Sequence, residues 1–175
     1  VADPEDDAAI GRMLTAGPWR LDAIELLRVT RHNAFVKDRH LIESMAELVE
    51  TGRYGAGEGV PEVEPGLRAK LRGALGPIEE LNPLVWREGP HTIVERYLER
   101  TGQVLDLIAA DTLESKRMVT NLACLVRFAA DWQRANPNGT LASFVAYLDA
   151  YQAAGGELPT SVELSEDAAG VRLMT

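Results

Sequence analysis

Apolar residues along this chain recur at helical spacing almost from end to end. Ala9, Ile10, Met13 and Leu14 form the first stripe. They predict a helix with Asp3 as N-cap and Pro4 at its first position, ended by Ala16-Gly17-Pro18. A second helix is expected from about Asp22, carrying Ile24, Leu27 and Val29 inward, and a third from Asp38 to Thr51 on Leu41, Met45, Leu48 and Val49. The stretch GRYGAGEGVPEVEPG, Gly52 to Gly66, holds five glycines and two prolines and reads as a loop or mobile connector. Its GAGEG is no nucleotide-binding turn, because no strand precedes it and no Gly-Lys-Ser/Thr follows.

The helical pattern resumes with Leu67, Leu71, Leu75, Ile78, Leu81 and Val85, where Pro77 and Pro83 are expected to break or kink the run. Ile93, Tyr97 and Leu98 mark a helix that Gly102 ends, and a short piece from Val104 to Ala110 follows. The longest helix is expected from Leu113 to Ala135, with Val119, Leu122, Val126 and Ala129 inward and Lys116, Thr120, Arg127, Asp131 and Arg134 on the opposite stripe. Asn138-Gly139 then turns the chain, and Thr140 caps a helix built on Leu141, Phe144, Val145 and Leu148. Gly155-Gly156 ends it. Beyond Pro159 the pattern changes to alternation at Val162 and Leu164, and Val171–Met174 reads as a strand with no partner upstream. The expected fold is therefore all-α, an irregular domain of about six to eight helices with a short extended C-terminal segment. No repeat of fixed period is present.

A chain of 175 residues, 46% hydrophobic and 26% charged, fits one globular domain with a proper core. The single cysteine, Cys124, rules out a disulfide framework and suits a reducing, cytoplasmic setting. No apolar run approaches membrane-spanning length. The first residue is not methionine and no leader pattern follows it, so the chain is expected to be a fragment. A net charge of -9 argues against indiscriminate coating of nucleic acid. The charge is uneven: Arg12, Arg20, Arg28, Arg31, Lys37 and Arg39 face only Asp22, Glu25 and Asp38 in the same stretch, whereas five acids oppose Arg172 alone from Thr140 onward. The basic stretch is either a solvated helix face or a small anion-facing patch.

Candidate chemistry is sparse. His32 and His40 lie eight residues apart, too far for a helical metal pair, and His91 stands alone, so no metal site is expected. Cys124 lies among apolar residues and reads as a small hydrophobe. Glu79 and Glu80 are adjacent and diverge on a helix, and no GxSxG, SxxK or Walker A motif occurs. No catalytic residue is assigned. The segment TAGPWRLDAIELL, Thr15 to Leu27, stands out instead. One helix ends, Gly17-Pro18 turns, and Trp19-Arg20 precede a new helix start, a geometry suited to a phosphate. Trp19 as a core anchor with Arg20 in a surface ion pair is the competing reading.

Four stretches together resemble the 2B subdomain of UvrD/Rep/PcrA-type superfamily 1 DNA helicases. ADPEDDAAIGRMLTAGPWRLDAIEL at residues 2–26 resembles a "D-P-x-x-x-x-A-x-x-R-x-L" helix followed by a "G-P-x-W-R-I" turn. VERYLERTG at 94–102 resembles "E-x-x-L-E-x-T-G", and NGTLASFVAYLDA at 138–150 resembles "T-L-x-x-F-L-x-Y-L". AAGVRLMT resembles "x-x-V-x-L-M-T", which in the family continues into "V-H-x-x-K-G-L-E".

The resemblance implies an accessory module inserted within a RecA-like domain, with Ala2, Asp3, Arg172, Met174 and Thr175 at its junctions. It implies no cofactor here and ATP with Mg2+ in the parent, a DNA-translocating hydrolase of repair or recombination. The implied partners are duplex or single-stranded DNA, the RecA-like domains of the same chain, and a repair or recombination protein, with no membrane. Duplex contact is implied at the hairpin equivalent to Trp19–Asp22, with Arg20 the leading residue and Trp19 positioning it. Lys37 and Arg39 are added on local charge alone. The family turn has Gly where this chain has Asp22, so a phosphate contact requires Asp22 to cap its own helix and point away. The alternative is an all-α protein-interaction module without nucleic-acid binding.

Overall fold

The computed structural model describes residues 5–34, 39–55 and 57–156. Among these, eight α-helices follow one another: α1 (Asp7–Ala16), α2 (Ala23–Ala34), α3 (Leu41–Thr51), α4 (Pro65–Leu81), α5 (Pro90–Thr101), α6 (Gln103–Ala110), α7 (Leu113–Ala135) and α8 (Leu141–Ala153). A 3-10 turn, Asn82–Leu84, follows α4. The protein is all-α; the one β-type pairing among the described residues is an isolated bridge between Arg53 and Glu62. The chain divides into two compact units, Val1–Asn82 and Pro83–Thr175. The C-terminal strand expected at Val171–Met174, and the junction residues Ala2, Asp3, Arg172, Met174 and Thr175, lie outside the described residues.

In the first unit α3 lies against α4, α2 and α1. Ile10, Leu14, Val29, Met45, Leu48, Leu71 and Ala74 are fully buried at its centre. The first helix is capped by Asp6 rather than Asp3: its Oδ1 accepts from the Ala9 amide at 2.8 Å, leaving Asp7 free to accept from the Leu41 amide at 2.7 Å. α2 also differs from expectation. Ile24 and Leu27 are 63% and 55% exposed; Val29 faces the core as expected, and so does His32. A buried histidine occupies a core position because both its ring nitrogens find partners there. α4 runs through Pro77 to Leu81 instead of breaking. Pro77 gives up one helical hydrogen bond but is itself buried, beside Ala74, Leu75 and Leu81 on the packed face.

The glycine-rich segment is not a free connector. Val63 donates to the Gly52 carbonyl at 2.8 Å and Tyr54 to the Pro61 carbonyl at 3.1 Å, and Val63 is buried. Both limbs of the loop are thereby fastened to the end of α3 and the start of α4.

In the second unit α7 is the spine, with α5 and α6 packed on it. Its bounds are those expected, set by a cap at Thr112, whose Oγ1 accepts from the Ser115 amide at 3.0 Å. Gly102 ends α5 at φ 65°, a left-handed conformation that an L side chain rarely adopts. Thr140 caps α8 as expected, and α7 and α8 meet through the rings of Phe128, Trp132, Phe144, Tyr147 and Tyr151.

Candidate nucleic-acid interface

The turn between α1 and α2 is built around its tryptophan. Gly17 donates to the Met13 carbonyl at 2.9 Å, and Leu21 reaches back to the Leu14 carbonyl at 2.9 Å, closing the turn on both sides of Trp19. The indole packs partly buried against the core of the first unit. It lies over α4 at Gly73, where an added Cβ would stand 2.9 Å from Nε1, and beside Gly17, where a Cβ would stand 3.4 Å from the ring. The missing side chain at Gly73 is what leaves room for the ring.

Arg20 is the residue this packing leaves outside. Trp19 and the buried Leu21 both point inward, and Arg20 between them takes φ 45°. A left-handed conformation at a non-glycine residue costs about 1 kcal/mol or more, so it persists only where its neighbours fix it. The side chain is exposed and has no ion-pair partner among the described residues.

Asp22 meets the condition set by the sequence. Its Oδ1 accepts from the amides of Ile24 and Glu25, both at 2.8 Å, and its own amide donates to Glu25 Oε2 at 2.9 Å. This reciprocal cap holds the Asp22 carboxyl below its ordinary range, first through the hydrogen bond from the Glu25 amide and against slight desolvation. Lys70 on α4 then fixes Glu25, with Nζ 2.8 and 2.6 Å from its two oxygens. The carboxylate is thereby turned into the start of α2.

The other basic residues fare differently. Arg39 is paired with Glu47 and reaches the Glu43 carbonyl, so its charge is engaged inside the first unit. Glu47 also meets His32 Nε2 at 3.0 Å, while His32 Nδ1 lies 3.0 Å from the Tyr54 carbonyl. The hydrogen bond with His32, followed by that with Arg39, holds the Glu47 carboxyl low. Arg28 is paired with Glu64, which also accepts from the Tyr54 hydroxyl at 2.7 Å. Burial, then the Glu64 carboxylate, pushes the Tyr54 phenol up to about 12. Lys37 lies outside the described residues. The structure thus brings Trp19 and Arg20 together at one turn and does not bring Arg39 to it as a free charge. Gly73 and the His32–Glu47–Arg39 network went unmarked in the sequence, because each depends on a contact between helices.

Among the described residues no group of three or more His, Cys, Asp or Glu side chains is placed to hold a metal ion. Cys124 is buried on α7. No helix among these residues is long and apolar enough to cross a membrane. Compared with protein families, with curated proteins and with solved structures, the sequence finds no match in any of the three.

Proposed function

We propose that this chain is an accessory, 2B-like module of a cytoplasmic UvrD/Rep-type DNA helicase that contacts the duplex through the α1–α2 turn and thereby gates unwinding. The observation that carries the reading is Arg20: a guanidinium held outward by a closed turn, in the segment that resembles the helicases' duplex-contacting hairpin. A planar guanidinium in the open suits two oxygens of one phosphate, and the nearest carboxylate in sequence, Asp22, is occupied in capping α2. In this reading one cation meets the backbone and reads no sequence, so contact is weak and dependent on salt. Weak contact suits a gate, which must release the duplex as the parent advances. ATP and Mg2+ belong to the RecA-like domains of the parent, and this module contributes position rather than chemistry.

The test is binding of a fluorescent blunt duplex at low salt. Arg20→Ala is expected to weaken it about tenfold, the worth of one charge-assisted hydrogen-bonded contact. Unchanged binding removes Arg20 from the interface and with it the proposed duplex contact.

A further inference from the structure

A second site stands in the second unit, where α7 hands over to α8. Phe128 and Trp132 lie four residues apart on α7, so their rings leave the same side of the helix. Tyr147 on α8 reaches both, with ring centroids 6.0 Å from Phe128 and 6.2 Å from Trp132. Phe144 is buried and backs the two α7 rings at 6.3 and 5.3 Å. Trp132 is also held from the connecting turn: a Cβ on Gly139 would come within 2.3 Å of its Cη2, so the indole lies directly on that glycine. These three outer rings, with Asp131, Ala135 and Asn136, line a cavity of about 380 Å³. Tyr147 remains 39% exposed, so the cavity opens to solvent.

Four of the six residues that line this cavity, the three aromatic rings and Asp131, can favour positive charge. Aromatic faces carry negative quadrupole potential and attract ammonium groups, most effectively those whose alkyl groups reduce their hydration. Asp131 supplies a formal negative charge. The cavity also sits at the last turn of α7, a helix of 23 residues whose carbonyl end is the negative pole of its dipole.

A cation of the chain already answers this field. Arg134 pairs with Asp131, although its side chain is 79% exposed and that of Asp131 is 50% exposed. Such a solvent-screened pair is weak and exchanges readily. Arg127 is exposed on the same half of α7, and neither arginine lines the cavity.

We propose that the α7–α8 cavity binds a quaternary ammonium ion, with the trimethylammonium head against Phe128, Trp132 and Tyr147, Asp131 as counter-charge, and Arg134 as the internal cation that the ligand displaces. This stands independently of DNA contact at the α1–α2 turn.

The experiment titrates choline chloride into the full chain at constant ionic strength and follows the three indole N–H resonances, with Trp132 assigned through Trp132→Phe. A saturable shift of the Trp132 resonance is expected, with Trp19 and Trp86 unmoved. The neutral carbon isostere, 3,3-dimethyl-1-butanol, should bind at least about fivefold more weakly, the share of affinity owed to charge over the rings. Asp131→Asn should weaken choline binding about threefold, and Arg134→Gln should strengthen it about twofold by freeing the carboxylate. N-acetyl-trimethyllysine amide forms the second arm: tighter binding than choline assigns the site to a methylated side chain, and equal or weaker binding to a free cation. An unmoved Trp132 resonance, or equal affinity for the carbon isostere, overturns the site. No gain on Arg134→Gln overturns the part given to Arg134.

Discussion

Replacing Gly73 with alanine tests whether the seat of Trp19 is as close as the geometry makes it. In a helix interior the change by itself is favourable, since alanine is about 1 kcal/mol better than glycine. At this position the new Cβ would stand 2.9 Å from Trp19 Nε1 and 3.2 Å from Cδ1, against ordinary contacts of about 3.5 Å or more. The ring would have to shift away from α4, and Trp19 is already packed, partly buried, against the core of the first unit. Forcing a side chain into a filled space costs about 1–3 kcal/mol, which cancels or outweighs the helical gain.

Gly11 supplies the reference. It lies inside α1 and an added Cβ there meets nothing within 4 Å, so Gly11→Ala should stabilise by about 1 kcal/mol. The two variants should therefore differ by about 1–3 kcal/mol in urea unfolding followed by far-UV circular dichroism. The Trp19 indole resonance should shift in Gly73→Ala and stay in place in Gly11→Ala. Equal stabilisation by both, with that resonance unmoved, would refute the seat. It would also remove the physical reason why Arg20 is held outward.

Two further outcomes follow from the first unit. The Tyr54 phenol is raised from 10.0 to about 12, so the unfolded chain loses that proton first and the stability tied to it is lost as pH rises from 10 toward 12. Tyr54→Phe should remove a late step in the absorbance titration at 295 nm and flatten the stability loss over that interval, while Tyr97, raised by burial, keeps its own late titration. On α2, Ile24→Ala should change stability by no more than about 0.5 kcal/mol, whereas Val29→Ala, at a fully buried position, should cost about 2 kcal/mol. Equal costs in chemical denaturation would contradict the orientation of α2.

What the sequence disclosed was what local chemistry decides. The bounds of α7 were legible because a threonine cap and an Asn-Gly turn punctuate a clear stripe, and Gly102 closed α5 for the same kind of reason. Interhelical contacts were not legible. α2 turned a different face inward because His32 can be buried once Glu47 and the Tyr54 carbonyl satisfy it, and neither partner is near it in sequence. The glycine-rich segment read as mobile because its fastening pairs Gly52 with Val63 across the whole loop.

The candidate sites divide in the same way. Trp19 and Arg20 showed themselves as a Trp-Arg pair at a turn, but Gly73, which receives the ring, carries no signal outside the fold. By sequence Arg39 is as available as Arg20; its pairing with Glu47 depends on the fold. The aromatic cavity does leave a trace in the sequence: Phe128 and Trp132 at helical spacing on one helix, and Phe144, Tyr147 and Tyr151 on the next.

In the proposed function Arg20 meets a phosphate of duplex DNA and Arg39 does not. The most direct measurement is the slope of log binding constant against log salt concentration for the intact chain, Arg20→Ala, Arg20→Lys and Arg39→Ala. One phosphate contact contributes about 0.9 to that slope. A slope shallower by about that amount is expected for Arg20→Ala, largely restored by lysine, and an unaltered slope for Arg39→Ala. A slope unchanged by Arg20→Ala, or one lowered equally by Arg39→Ala, would contradict the proposed contact.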